Sequence, residues 1–423
     1  MMYKCMLKKE GRIALSIFRQ YRGLRKELYI LFWGRVVTNM GALIWPMMTL
    51  ILTNKLGFTP GEASTIMLVA GAFMLPATLL GGKLADRLNK KYLIVVCDMV
   101  TVIGYMICGL VPLTKSSVVL LAIAGIFAQL EWPSFDALVA QLSTPQERER
   151  AYSLNYLGAN LGLVLAPTLG GLLFENHLNI AFLISSLATF SSTVLIFFFV
   201  KDISSSRTDD ASGVYENERN VSTREVLTET PVLKLFLVFI SIVGGIYAVA
   251  MSFLLPLSMD HFFGSKGALF LGTLTSINAF TVIVGTPLLT DLMSRMRDIT
   301  KIHLGSFLEI LGCVGFSLAG SHLSVCYGSM VVFTLGEILD SLGNQPYITR
   351  RVPASHRGRV SSLRSVGQML LQGVFLAAAG HSADFLPLFW IWAVLIAIGL
   401  ANLLFMIRLR RQDRKQFALL YSE

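Results

Sequence analysis

Charge is what this chain of 423 residues is short of: only 15% of them are Asp, Glu, Lys or Arg. A water-soluble globule carries about 25%, and the mean hydropathy here is +0.64, so a soluble domain is excluded. Cysteine is scarce as well. Cys5, Cys97, Cys108, Cys313 and Cys326 show no disulfide or metal-ligand spacing, which removes a disulfide scaffold and a thiolate metal site. The H-E-x-x-H, Walker and G-x-S-x-G patterns are missing too, so neither an enzyme nor a metal or cofactor is expected. Polar stretches are few, and the one long example runs from 201 to 234.

What fills the chain instead is twelve apolar runs between residues 29 and 407, each near the roughly 20 residues that cross a bilayer. The expected fold is an all-α membrane protein of twelve transmembrane helices in two six-helix bundles, 29–200 and 235–407. A basic arm (1–28), a linker (201–234) and a tail (408–423) complete the chain. Residues 13–18 suggest a short surface helix, and Ser222 with Glu225 offers a capping box in the linker. The net charge of +10 does not point to nucleic acid, because 32 of the 36 Lys and Arg fall on one side of the spans. The other side holds only Lys55, Lys115 and Lys266, and Arg35 lies within the first span. By the positive-inside rule the basic side is cytoplasmic, with both termini there, in a plasma membrane.

The hairpin Gly81–Lys91, GGKLADRLNKK, joins the second and third spans and concentrates Asp86, Arg87, Lys90 and Lys91. The two halves also echo each other. Arg148, Arg150, Ser153, Leu154 and Gly158 recur without gaps as Arg357, Arg359, Ser362, Leu363 and Gly367, and the same offset pairs Glu131 with Asp340. Related six-span halves are the arrangement of secondary transporters that rock about a central site.

Ionisable groups at hydrocarbon depth cost about 2.5–3.5 kcal/mol each, so they face a cavity or a partner. Glu131, Asp340, Asp136, Glu337 and Glu309 lie within spans. A carboxyl there can hold a proton, or a cationic substrate, but not both; alternatively it locks helices together. Glu309 is left outside the candidate set. Arg35 and Asn39 share a helical face, and Arg35 either snorkels to the interface or pairs with a cavity carboxylate. Asp98 is expected to pair with Arg87 or Lys91. Trp45, Met47 and Met48 flank Pro46 and either line an adaptable pocket or face core and lipid.

On these residues the chain resembles the major facilitator superfamily, and within it the twelve-span drug:proton antiporters. Gly82, Asp86, Arg87, Lys90 and Lys91 resemble the family's signature hairpin. Asn155–Gly171 is similar to the antiporter motif, with Gly162, Pro167, Gly170 and Gly171 matching and Ala166 replacing a glycine. The resemblance implies a proton-coupled efflux antiporter for small amphipathic or cationic compounds, with a symporter or a metabolite or lipid carrier as the alternative. It also implies a monomer powered by the proton gradient, a bend in span five, a span nine at the periphery, and a latch from Asp86 to the start of span eleven near Ser361 and Ser362.

Overall fold

The computed structural model describes residues 21, 23–144, 147–200, 230–352 and 357–421. The basic arm up to residue 20 and the linker 201–229, with the helices expected in them, lie outside the described residues.

Long helices account for nearly everything else. They are α1 (Lys26–Lys55), α2 (Pro60–Arg87), α3 (Lys90–Leu110), α4 (Ser117–Leu142), α5 (Arg148–Leu163 and Ala166–Phe174) and α6 (Leu178–Phe199). After the linker come α7 (Pro231–Phe263, through a π turn at Ala250–Leu254), α8 (Gly267–Leu292), α9 (Asp298–Leu318), α10 (Leu323–Arg351), α11 (Arg357–Ala383) and α12 (Leu388–Gln416). Among the described residues ten stretches are long and apolar enough to cross a membrane, and one of them, Pro231–Leu292, contains both α7 and α8. Helix α11, the most polar, is not among them.

Local chemistry sets several boundaries. Thr59 and Glu62 form a reciprocal capping box at the start of α2, through Thr59 N to Glu62 Oε2 (2.9 Å) and Glu62 N to Thr59 Oγ1 (3.2 Å), with Pro60 in the first turn. Asn89 caps α3 by accepting from Lys91 N at 3.0 Å. The two pieces of α5 meet at Val164–Leu165, just before Pro167, which cannot supply the N–H that would continue the ladder. The helix is therefore interrupted within span five, in the stretch where the motif resemblance implies a bend. The end of the molecule carrying the α2–α3 hairpin is called inner below.

The chain forms two compact units. The first comprises Met1–Leu43, Ala72–Ala166 and Leu178–Ser206. Within it α3 packs on α4 and α6, and α1 packs on α5 and α6. Its inner end is an apolar core of Leu28, Leu31, Ile94, Phe135, Leu138 and Ile196. Glycines set the closest approaches. A Cβ on Gly81 would lie 2.3 Å from the carbonyl oxygen of Leu130, and one on Gly162 would lie 2.6 Å from that of Val36. Gly82, the signature position, has open space around it, so in this hairpin Gly81 rather than Gly82 is the packing residue.

The second unit comprises Ile44–Gly71, Pro167–His177 and Arg207–Glu423. It includes the outer ends of α1, α2 and α5, which rest on α7, α8 and α11. Gly171 meets the Ala268 carbonyl, where a Cβ would come within 2.3 Å, and Gly272 meets that of Pro167 at 2.1 Å. Asp384 Oδ1 accepts from Gly61 N at 3.0 Å, tying α11 to the start of α2. Trp45 is exposed while Met47 and Met48 are buried, so only the methionines belong to the core. At the inner end Phe236, Phe239, Tyr347, Met406 and Leu409 pack together. Beside them Asp413 takes hydrogen bonds from Tyr347 (2.9 Å), from Arg351 Nε and Nη2 (2.7 and 2.8 Å) and from the Tyr421 hydroxyl.

Candidate functional site

Each unit gathers three carboxylates around one arginine at membrane depth. In the first unit the arginine is Arg35 of α1, only 6% exposed. Its guanidinium lies 4.2 Å from the ring centre of Trp132 and 4.8 Å from that of Phe135, a stack that holds a desolvated cation more firmly than an exposed one. Arg35 therefore does not snorkel. It acts electrostatically on Glu131, Asp136 and Asp98. Glu131 is buried on α4, one residue from the ring that stacks on Arg35. Asn39 turns back on its own helix and donates to the Arg35 carbonyl at 2.9 Å.

Asp98 departs from expectation. It accepts from Thr193 Oγ1 at 2.7 Å, while Lys91 reaches the Val200 carbonyl at 2.8 Å and sits over the Phe197 ring. The lysine satisfies the C-terminal end of α6, so Asp98 is left to the electrostatic neighbourhood of Glu131 and Arg35. The side chains of Asp86, Ser361 and Ser362, on which the expected latch depends, lie outside the described residues.

In the second unit Glu309, Glu337 and Asp340 line one cavity of about 360 Å³ together with Tyr247, Asn344 and Arg364. Glu337 accepts from Asn278 Nδ2 at 2.8 Å and from the Tyr247 hydroxyl. Asp340 accepts from Asn344 Nδ2 at 2.6 Å. Glu309 is only 4% exposed: α9 packs mainly on α10 and α12 and bares Phe307 and Leu311, as a peripheral span does, but its Glu309 still reaches the cavity. The cause is glycine. A Cβ on Gly305 would fall 2.7 Å from the backbone of Gly336 and Asp340, and one on Gly336 would fall 2.6 Å from that of Gly305. Helices α9 and α10 thus touch backbone to backbone, which carries Glu309 into the cavity wall. Of the sequence candidates, Arg35, Glu131 and Asp136 come together in one unit, and Glu337 and Asp340 in the other.

Arg364, Asn344, Asn278 and Tyr247 were not anticipated. Arg364 counts among the inner basic residues by sequence, yet it stands two turns inside α11, and that depth was its available signal. The two arginines also break the repeat. Carrying the Glu131–Asp340 offset over, Arg35 corresponds to Gly244 and Arg364 to Asn155. Each unit keeps a cation for its carboxylates but takes it from a different helix.

The sequence pattern of the Major Facilitator Superfamily matches residues 31–376. The chain belongs to that superfamily. An antiporter from Planococcus maritimus, named for Na(+), Li(+), K(+) and H(+), is 22% identical across 78% of this chain and 83% of its own. The multidrug resistance protein MdtH of Yersinia pestis is 26% identical over 38% of this chain and 40% of its own. Among solved structures, a peptide transporter, POT, superposes with a TM-score of 0.77 at 16% identity, covering 93% of this chain and 96% of that one. At that identity the likeness establishes the major facilitator fold and nothing about cargo. As a superfamily member the chain is a multi-pass membrane transporter of small molecules.

Proposed function

We propose that this transporter is a proton-coupled exporter of small amphipathic or cationic compounds, with twelve spans and both termini in the cytoplasm, working as a monomer in the plasma membrane by alternating access. The observation that carries the proposal is the count of charges. With every carboxylate ionised, each unit would hold two more anions than cations at membrane depth, at about 2.5–3.5 kcal/mol per unpaired charge. Protons, or a cationic group on the cargo, make up that deficit where the carboxylates sit, and the arrival of one favours the departure of the other. A proton gradient supplies about 2.3 kcal/mol per charge per 100 mV, with roughly 1.4 kcal/mol more per pH unit. The names of the Planococcus and Yersinia relatives support export by exchange.

The Planococcus name also favours a second reading, in which the cargo is a bare alkali cation. Ethidium efflux from everted vesicles tests both, with E131Q and D340N beside the parent. Ethidium entry that releases luminal protons, lost in D340N or E131Q, supports drug:proton antiport. Proton movement in the same direction as the solute would instead mean symport. Proton release on adding Na(+) or Li(+), without any dye flux, would give the site to inorganic cations.

A further inference from the structure

The polar groups of the second unit's cavity do not satisfy one another. Asp340 accepts from Asn344 through Oδ2 alone, and its Oδ1 is buried with no hydrogen-bond partner. The amide oxygen of Asn344, a side chain only 7% exposed, is also without one. The Nε–H of Arg364 is buried without an acceptor. Arg364 feels Asp340 electrostatically, yet no ion pair within 4.0 Å joins it to any carboxylate among the described residues. Buried polar atoms left unmet are costly and few in native proteins. Here three of the ten found in the described residues fall in one cavity.

Two acceptors and one donor, unmet on the lining of one cavity, define what would fill it. On the premise that this cavity is the transport site, we propose that it binds an ampholyte, a small molecule carrying both an N–H ammonium group and a carboxylate. The ammonium donates to Asp340 Oδ1 and Asn344 Oδ1, and the carboxylate accepts from Arg364 Nε. A quaternary ammonium has no N–H to give these oxygens and is held there by charge alone. A simple carboxylic acid would add a fourth anion beside Glu309, Glu337 and Asp340. Tyr247, stacked on Phe333 with ring centres 5.4 Å apart, offers the apolar part of such a molecule a flat wall. The volume of about 360 Å³ lies within the range of small-ligand sites.

Binding to the purified full-length protein, measured by calorimetry with two matched sets of probes, tests the proposal. One set is tryptophan, tryptamine and indole-3-propionate; the other is 4-(aminomethyl)benzoate, benzylamine and benzoate, in which the charges stand further apart. In at least one set the ampholyte should bind about tenfold or more tighter than either singly charged relative, the effect of one charge-assisted hydrogen bond. R364Q should bring the ampholyte down to its amine, R364K should do so only in part, and D340N should weaken ampholyte and amine alike. Amines that equal their ampholytes in both sets, a preference that survives R364Q, or no binding by any probe would overturn the proposal. Proton-coupled ethidium efflux with no ampholyte preference would defeat this inference alone. Absence of any proton-linked flux would defeat the exporter reading first.

Discussion

Asp413 offers the sharpest test of how this fold is held at its inner end. Its side chain is fully buried and receives four hydrogen bonds, two of them from an Arg351 that is itself 5% exposed. Arg351 is further boxed in by Tyr347, 3.8 Å from its guanidinium, and by Phe417. Burial works against its charge, but the bonds to Asp413 more than offset that and raise its pKa. In D413N the arginine keeps its aromatic walls and loses its counterion. Stranding one member of a buried pair costs about 3–5 kcal/mol, and D413N should lose that much in denaturant or thermal melts followed by size-exclusion fluorescence. The companion R351M/D413N removes both charges at nearly constant volume and should recover a large part of the loss. A D413N protein within about 0.5 kcal/mol of the parent would refute the argument, since surface substitutions alone stay inside that band. So would a double variant no more stable than D413N, because coupled residues must show non-additivity. By contrast, the Arg350–Asp298 pair at 3.1 Å has an arginine 61% exposed, and R350Q should change stability by less than about 1 kcal/mol.

Other consequences are open to direct measurement. G81A should destabilise by about 1–3 kcal/mol, because its methyl would meet the Leu130 carbonyl, whereas G82A should be neutral or slightly stabilising in thermal melts. R35K keeps the charge but not the planar stack on Trp132 and Phe135, and should lose about 0.5–2 kcal/mol; R35L should lose more, and equal melts for the two would dismiss the cation–π account. D384A removes the carboxylate from Gly61 N, about 0.5–2 kcal/mol of cap, and should speed labelling of a cysteine placed at Thr65 from the outer side. The Tyr421 phenol, pushed up to about 12 by burial and by its bond to Asp413, is favoured in its neutral form in the docked tail. Its contribution is therefore complete below the ordinary value of 10 and disappears as pH rises to about 12, and Y421F should abolish that part of the alkaline loss of stability.

Much of the scaffold was legible because bilayer length and basic-loop asymmetry are properties of whole segments. The bend in span five entered only through the resemblance of Asn155–Gly171 to the antiporter motif, whereas the depth of Glu131 and Asp340 was legible from their distance to the span ends. What sequence could not supply was the rotation and closeness of helices. Glu309 lies in the cavity wall because two glycines let α9 and α10 touch, and nothing along α9 alone states which neighbour those glycines face. Arg364 was hidden for a different reason: counting charges by segment places a cation at a span's mouth, while two turns of α11 carry it inward. The pairing of Asp98 with Thr193 rather than Lys91 turned on the end of α6, where a free carbonyl competes for the lysine.

The joint where the top of α5 lies against α8 is made of glycine set against bare main chain, as at Gly171 on Ala268 and Gly272 on Pro167. Surfaces without side chains have no rotamers to reset when they separate and no knobs to withdraw from holes. Such a joint behaves like a smooth valve seat, closing tightly on shape alone and parting without a ratchet, which suits the alternating access proposed above. The same smoothness leaves no tolerance, so one added methyl at Gly171 or Gly272 would hold the valve ajar.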